Sequence, residues 1–187
     1  MKPAERIILA ITGATGMLYL EPLLDLLGKN AVTVHAVISD SGRQVLALER
    51  GKQPEALPNI ERWFGIGDFT APMASGSSLY DAMLILPCTT GTLGAIVAGY
   101  SGNLIHRAAD VSLKERRPLL LAVRETPLNR THLTNMLRAH EAGATIIPPM
   151  PSFYQQPANL DEMARNFAAR LCDQIGVRDT GMKRWGG

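Results

Sequence analysis

NLIHRAADVSLKERRPLLLAVRETP, residues 103–127, is the most informative stretch of the chain. Its centre, Pro118-Leu119-Leu120-Leu121-Ala122-Val123, is short, apolar and bounded by breakers, the pattern of a buried strand. A helix is expected just upstream, over roughly Leu104–Leu113. Arg124 and Glu125 stand where the strand would emerge. In open α/β sheets, ligands bind beyond the carboxyl ends of the strands. A charged pair at that exit, with Arg107, Lys114, Arg116 and Arg117 close upstream, points to an anionic ligand, a phosphate above all. A solvated basic helix ahead of a core strand would look the same, so the rest of the chain has to decide.

Working outward, the same alternation repeats. Arg6–Thr12 reads as a strand, Gly13-Ala14-Thr15-Gly16 as a tight turn, and the next segment as a helix with Leu18, Leu23, Leu24 and Leu27 inward, ending at Gly28. Val32–Ser39 is a β-branched strand and Ser41–Glu49 a short helix. Arg50–Asp68 is irregular and Pro-bearing, a surface excursion. Ala71–Ser78 is a small-residue loop. Ala82–Pro87 is a third buried strand, followed by Cys88-Thr89-Thr90-Gly91-Thr92 and an apolar helix to about Ala98. His132–Ala142 and Ala144–Ile147 add a helix and a strand. In the last helix Leu160, Met163, Ala164, Phe167 and Leu171 make one apolar stripe, with Asp161, Glu162 and Arg165 outside. Strands alternating with helices throughout predict an α/β fold with a doubly wound, mostly parallel sheet.

Bulk composition narrows the class. The chain has 187 residues, 46% hydrophobic and 19% charged, with a net charge of +2. That is enough for one domain with a real core, residues 1–187, ending in a C-terminal helix and a short tail, polar from Asp179 to Gly187 except for Met182 and Trp185. No basic run suggests nucleic acid, and no segment approaches membrane-spanning length. The two cysteines, Cys88 and Cys172, form no disulfide framework and lack metal-ligand spacing. A reduced, cytoplasmic setting is expected.

Chemistry gathers at the turns. Gly13 and Gly16 sit in a strand-turn-helix resembling a phosphate cradle, where a helix N-terminus offers free N–H groups. A dinucleotide fingerprint would want glycine where Tyr19 stands. Ser39, the run Thr89-Thr90-Gly91-Thr92, and the loop Ser75-Gly76-Ser77-Ser78 share its character. Hydroxyls and glycines at successive strand ends suit a ligand rich in acceptor oxygens, such as FMN. Helix capping would explain each one singly. The stiff connector Pro148–Pro157 holds Tyr154, and Arg170 lies beside the apolar stripe of the last helix; together they could bind a small phosphate. The four histidines are scattered, and His35, within a strand, is structural.

GATG at 13–16, Glu49 within LALER, ASGSS at 74–78, PCTTGTL at 87–93, RAADVSLKERRPL at 107–119, VRETP at 123–127, PPMPSFYQQP at 148–157 and RWG at 184–186 together resemble a UbiX-type flavin prenyltransferase. The resemblance runs the length of the chain in order. It implies a flavodoxin-like or Rossmann-like fold assembled as a homo-oligomer, a dodecamer of trimers, with sites at subunit interfaces. It implies transfer of dimethylallyl from dimethylallyl monophosphate to reduced FMN, without metal. The product would pass to a UbiD-type decarboxylase of ubiquinone synthesis or aromatic-acid metabolism.

Position by position, the resemblance assigns Gly13, Ala14, Thr15, Ser39, Thr89, Thr90, Gly91, Thr92 and Arg124 to FMN. It assigns Tyr154 and Arg170 to the prenyl phosphate, with Arg107, Lys114 and Glu125 around it, Glu49 near the reacting flavin and Trp185 walling the prenyl pocket. GATG replaces the family's usual GASG, Tyr19-Leu20 replaces its tyrosine-glycine pair, and Phe69 stands where Trp is common. Two other functions are compatible with such a fold: a non-catalytic carrier of FMN or prenylated FMN, and a flavin-dependent cysteine decarboxylase. The latter's active-site His and PxMNxxMW-like segment have no counterpart in PPMPSFYQQP.

Overall fold

Each of the expected strands forms, and every pairing between them is parallel. In the computed structural model, which describes residues 2–178, 181 and 184–186, the strands are β1 (Arg6–Ile11), β2 (Thr33–Ile38), β3 (Arg62–Phe64), β4 (Ala82–Cys88), β5 (Leu119–Val123) and β6 (Thr145–Ile146). They make one six-stranded sheet in the order β3-β2-β1-β4-β5-β6. The helices are α1 (Leu20–Lys29), α2 (Asp40–Arg50), α3 (Thr90–Val97), α4 (Leu104–Lys114), α5 (Arg130–Glu141) and α6 (Leu160–Gln174).

Side chains alternate across a strand, so β1 feeds two cores. Ile7, Leu9 and Ile11 pack with Leu23, Leu24 and Leu27 of α1 and Ala164, Phe167 and Leu171 of α6. Ile8 and Ala10 pack with Leu93 of α3, Leu104 and Ala108 of α4 and Ala139 of α5. Each fully buried aliphatic side chain contributes about 1.5–3 kcal/mol, which explains why the strands read as continuous apolar runs and not as alternating ones.

Strand order reverses between β1 and β4, with β2 and β3 on one side and β5 and β6 on the other. A doubly wound sheet opens a crevice at such a reversal, beyond the carboxyl ends of the strands. The turns after β1 and β4, at Gly13 and Thr89, flank it.

Several expectations need correcting. Residues 50–68 are not wholly irregular: Arg62–Phe64 pairs with His35–Val37 as an edge strand. Its three residues are too few to show a period. Helix α1 continues through Gly28 to Lys29, and the left-handed residue beyond it is Ala31, at φ 54°. Gly28 instead admits Asn59, whose Cγ would lie 2.5 Å from a Cβ there. Leu18 belongs to a one-turn 3₁₀ segment (Met17–Tyr19) and is only half-buried. Leu160 is exposed, so the inward stripe of α6 begins further along. Loop 71–78 contains a 3₁₀ turn (Pro72–Ala74) that buries Met73. Of the tail, Asp179, Thr180, Met182, Lys183 and Gly187 lie outside the described residues, as does Met1.

Candidate active site

Thr12, at the end of β1, connects the two turns that flank the crevice. Its buried hydroxyl donates to the Pro87 carbonyl at 2.8 Å and accepts from the Thr89 backbone N–H at 2.9 Å. The register of β4 against β5 shifts between Ile85 and Cys88. Pro87 has no N–H to give the ladder, and its carbonyl turns instead to Thr12. Sequence reasoning missed Thr12 because a threonine at a strand end looks like any β-branched strand residue.

The first turn differs from a simple phosphate cradle. Ala14 N–H is bonded to the Thr12 carbonyl at 2.9 Å. The Glu49 carboxylate, reaching over from α2, accepts from Gly16 N–H at 3.1 Å and Met17 N–H at 2.9 Å. A carboxylate thus already occupies the positive end expected to hold an anion. Among the described residues, Gly13 and Thr15 N–H have no protein acceptor. Gly13 is required for packing: a Cβ would lie 2.5 Å from Ser41 Cβ and closer still to its hydroxyl.

Ser39 and Thr89 are both helix caps. Ser39 Oγ accepts from Gly42 N–H at 3.0 Å, and Thr89 Oγ1 accepts from Thr92 N–H at 3.1 Å. Thr92 is buried, its hydroxyl accepting from that of Thr89 at 3.0 Å, so it faces inward. Thr90 and Gly91 are left at the open face of the α3 N-terminus, where a Cβ on Gly91 would meet only Thr89 Oγ1, at 3.9 Å. Arg124 leaves β5 beside them, its N–H bonded to the Cys88 carbonyl at 3.0 Å. No ion pair engages its guanidinium among the described residues. Free N–H groups, hydroxyls and an uncommitted arginine at a helix N-terminus are a donor set that fits a flavin mononucleotide. Burial pushes the Cys88 thiol up to about 12, so it stays protonated and serves as no nucleophile.

The other expected residues lie elsewhere on the chain. The loop 75–78 precedes β4 and so sits at the amino edge of the sheet, not beside Ser39 and Thr89; Asp81 N–H bonds to the Arg6 carbonyl at the start of β1, 2.8 Å away. Lys114 ends α4 near this loop and pairs with Glu115. Arg107 donates to the Ala74 carbonyl at 3.0 Å and to Asp110 at 2.9 Å. Glu125 follows β5 and is exposed at the carboxyl edge, with one oxygen accepting from Thr126 N–H at 2.9 Å. Five residues of β5, roughly 16 Å of strand, separate the edge carrying Lys114 from the edge carrying Glu125. Tyr154 and Trp185 meet edge to face at 5.4 Å, and Arg170 pairs with Asp173 at 2.8 Å. That end of α6 lies near the start of β1, where Ala4 N–H bonds to the Ile175 carbonyl at 3.0 Å. One chain therefore carries three separate groups of the expected residues. Among the described residues no cluster of His, Cys, Asp and Glu could hold a metal, and no helix is long and apolar enough to cross a membrane.

A parallel sheet with hydroxyl-capped helices flanking its point of reversal defines a nucleotide-binding α/β protein. Residues 1–165 match the family model for flavoproteins. Over the full chain it is 45% identical to the flavin prenyltransferase UbiX of Methanothermobacter thermautotrophicus, covering 98% of that protein. It superposes on the crystal structure of AnUbiX in complex with FMN and dimethylallyl pyrophosphate with a TM-score of 0.95, at 38% identity and 98% coverage of both chains. The dodecameric FMN-dependent UbiX-like decarboxylase of Escherichia coli O157:H7 matches at a TM-score of 0.93 and 37% identity, over 97% of this chain and 100% of that one. The chain belongs to the flavoprotein family, within its UbiX-type flavin prenyltransferases.

Proposed function

We propose that this chain transfers the dimethylallyl group of dimethylallyl monophosphate to reduced FMN, acting as one flavin-binding unit in a closed homo-oligomer. The observation that carries this reading is the open donor set of Thr90, Gly91 and Arg124 at the reversal of the sheet, in a chain that resembles flavin prenyltransferases from end to end. Gly13, Ala14, Thr15, Ser39 and the turn at Thr89–Thr92 would surround the flavin. Its phosphate is best held at the α3 N-terminus with Arg124, since Glu49 already takes the Gly16 and Met17 N–H groups at the helical end of the first turn.

Reduced flavin would supply the nucleophilic ring nitrogen; the chain's own residues manage charge around it. Breaking the allylic carbon–oxygen bond places negative charge on the departing phosphate, which Arg107, Lys114 and Arg170 would stabilise. The opposite charge develops on the prenyl carbons, against which Trp185 and Phe69 would set their π-faces. Glu49 and Glu125 are the carboxylates available to accept the proton lost on ring closure. Glu49 is the better fixed, by two backbone N–H groups.

The separation of Lys114 from Glu125 within one chain supports a site completed by neighbouring subunits, and the dodecamer of the Escherichia coli relative offers an architecture for it. Delivery of the product to a UbiD-type decarboxylase and a cytoplasmic location complete the reading; the buried free thiol of Cys88 suits a reducing setting. Mixing purified protein with reduced FMN and dimethylallyl monophosphate in EDTA, and weighing the flavin by mass spectrometry, tests it. The mass should rise by one prenyl group, and the diphosphate donor should serve less well. Flavin that binds but keeps its mass would favour the carrier.

A further inference from the structure

Asp173, near the end of α6, bears two arginines on one carboxylate. Arg170, one turn earlier, donates to its Oδ2 at 2.8 Å. Arg184 from the tail grips it with both nitrogens, Nη1 to Oδ2 at 3.0 Å and Nη2 to Oδ1 at 2.9 Å. The Asp173 side chain is only 11% exposed, whereas those of Arg170 and Arg184 are 49% and 45% exposed. A forked pair of this kind fixes orientation as well as distance. The next residue after Arg184 is Trp185, 80% exposed, with its ring edge-on to Tyr154. Within its own chain, so exposed a tryptophan is not positioned by burial. It is held by the ring of Tyr154 and by the arginine that precedes it.

We propose that Asp173 is a positioning residue for prenyl transfer, whose carboxylate holds Arg170 and, through Arg184, Trp185 in one arrangement around the donor. This rests on the reading of Tyr154 and Arg170 as contacts of the donor phosphate. Asp173 touches neither donor nor flavin in this account. It spaces the cation that meets the phosphate from the aromatic wall that meets the prenyl chain. It also cancels one of two adjacent positive charges, so that Arg170 can lie beside Arg184 without being driven away.

The test uses the intact oligomer in a Trp63→Phe background, where Trp185 is the sole tryptophan, and reads both its fluorescence anisotropy and steady-state kinetics with dimethylallyl monophosphate and reduced FMN. Asp173→Asn should lower the anisotropy and cut kcat about tenfold, as loss of a near-attack arrangement does. KM should change less than about threefold, because both arginines remain to attract phosphate. Arg184→Ala should reproduce the fall in anisotropy and in kcat, and Asp173→Glu should recover most of both. Arg170→Ala should instead raise KM and leave the anisotropy unchanged. Unchanged anisotropy in Asp173→Asn and Arg184→Ala, or a mobile Trp185 with an unaltered kcat, would overturn the proposal. A parent protein that holds Trp185 rigidly yet prenylates nothing sinks the functional reading and this role with it, while leaving the tether intact; a parent that prenylates with Trp185 already mobile sinks the tether alone.

Discussion

Gly13 shows how little a residue's name reveals before its neighbours are known. The glycine is legible in the sequence as a turn; the reason for it, the side chain of Ser41 pressed against the empty Cβ position, comes from a helix one strand away. Gly13→Ala should cost about 1–3 kcal/mol of stability by overpacking and weaken FMN binding, both measurable by thermal melts and flavin fluorescence titration. Arg124 was legible as a strand-exit cation, and its lack of an ion-pair partner among the described residues makes it a better anion ligand than the paired Arg170. Arg124→Ala should therefore weaken FMN by roughly 1.5–3 kcal/mol, a ten- to hundredfold rise in Kd by titration, with the donor KM little changed. Asp81 yields a pH prediction. Burial would raise its carboxyl, but the N–H groups of Arg6 and Glu5, each 2.8 Å away, more than offset this and hold it below its ordinary 3.8. A depressed carboxyl stabilises the fold above its unfolded value, and the gain disappears as pH falls through the folded one. Asp81→Asn should thus cost about 1 kcal/mol at neutral pH, discounted for exposure, and progressively less in acid, as pH falls through the folded-state titration. Equal losses at neutral and acid pH would show that the carboxylate charge is not what matters.

At the scale of elements, long apolar runs were legible and short or doubly employed segments were not. β1, β4 and β5 announce themselves because both of their faces are buried, and α6 because its stripe repeats over 15 residues. β3 hides for the opposite reason: three residues on a sheet edge need no pattern, and their place depends on pairing with β2. Its absence would also change the topology. Without β3 the remaining order matches the flavodoxin arrangement, and with it the six strands follow the Rossmann order. The helix N-termini read from sequence either as caps or as ligand sites; Ser39 and Thr89 are caps, and the two readings are compatible, since a cap hydroxyl satisfies one N–H and leaves others open. Thr12, which escaped notice, makes the sharpest prediction here. Thr12→Val keeps the shape but leaves the Thr89 N–H without its acceptor, at a cost of about 1–3 kcal/mol. Denaturant unfolding should register that loss, and flavin affinity should fall with it because the turns after β1 and β4 are no longer joined. Stability lost with affinity intact would mean that the Thr89 turn keeps its place without Thr12.

Across the whole molecule, the residues that resemble a flavin prenyltransferase were readable in order, but their grouping in space was not, because sequence order does not reveal which edge of a sheet a loop occupies. Ser75–Ser78 and Lys114 lie at the amino edge, while Thr89, Arg124 and Glu125 lie at the carboxyl edge. A parallel strand cannot bring its two ends together, so if Lys114 and Glu125 serve one reaction, as proposed, they would do so across a subunit boundary. Complementation follows from this geometry. Lys114→Ala and Glu125→Gln proteins should each be nearly inactive when assembled alone. Unfolded and reassembled together in equal amounts, they should regain prenylation, since some boundaries then receive an intact Lys114 from one subunit and an intact Glu125 from its neighbour. Random mixing sets the recovery at about one quarter of wild-type activity, the chance that both contributors to a site are intact. If the two residues worked within one chain, no mixture could restore any site, and activity would stay at the level of the separate variants. Light scattering of the mixture guards the comparison: recovery should follow the fraction of large closed oligomer, and an active monomer would contradict the shared site outright.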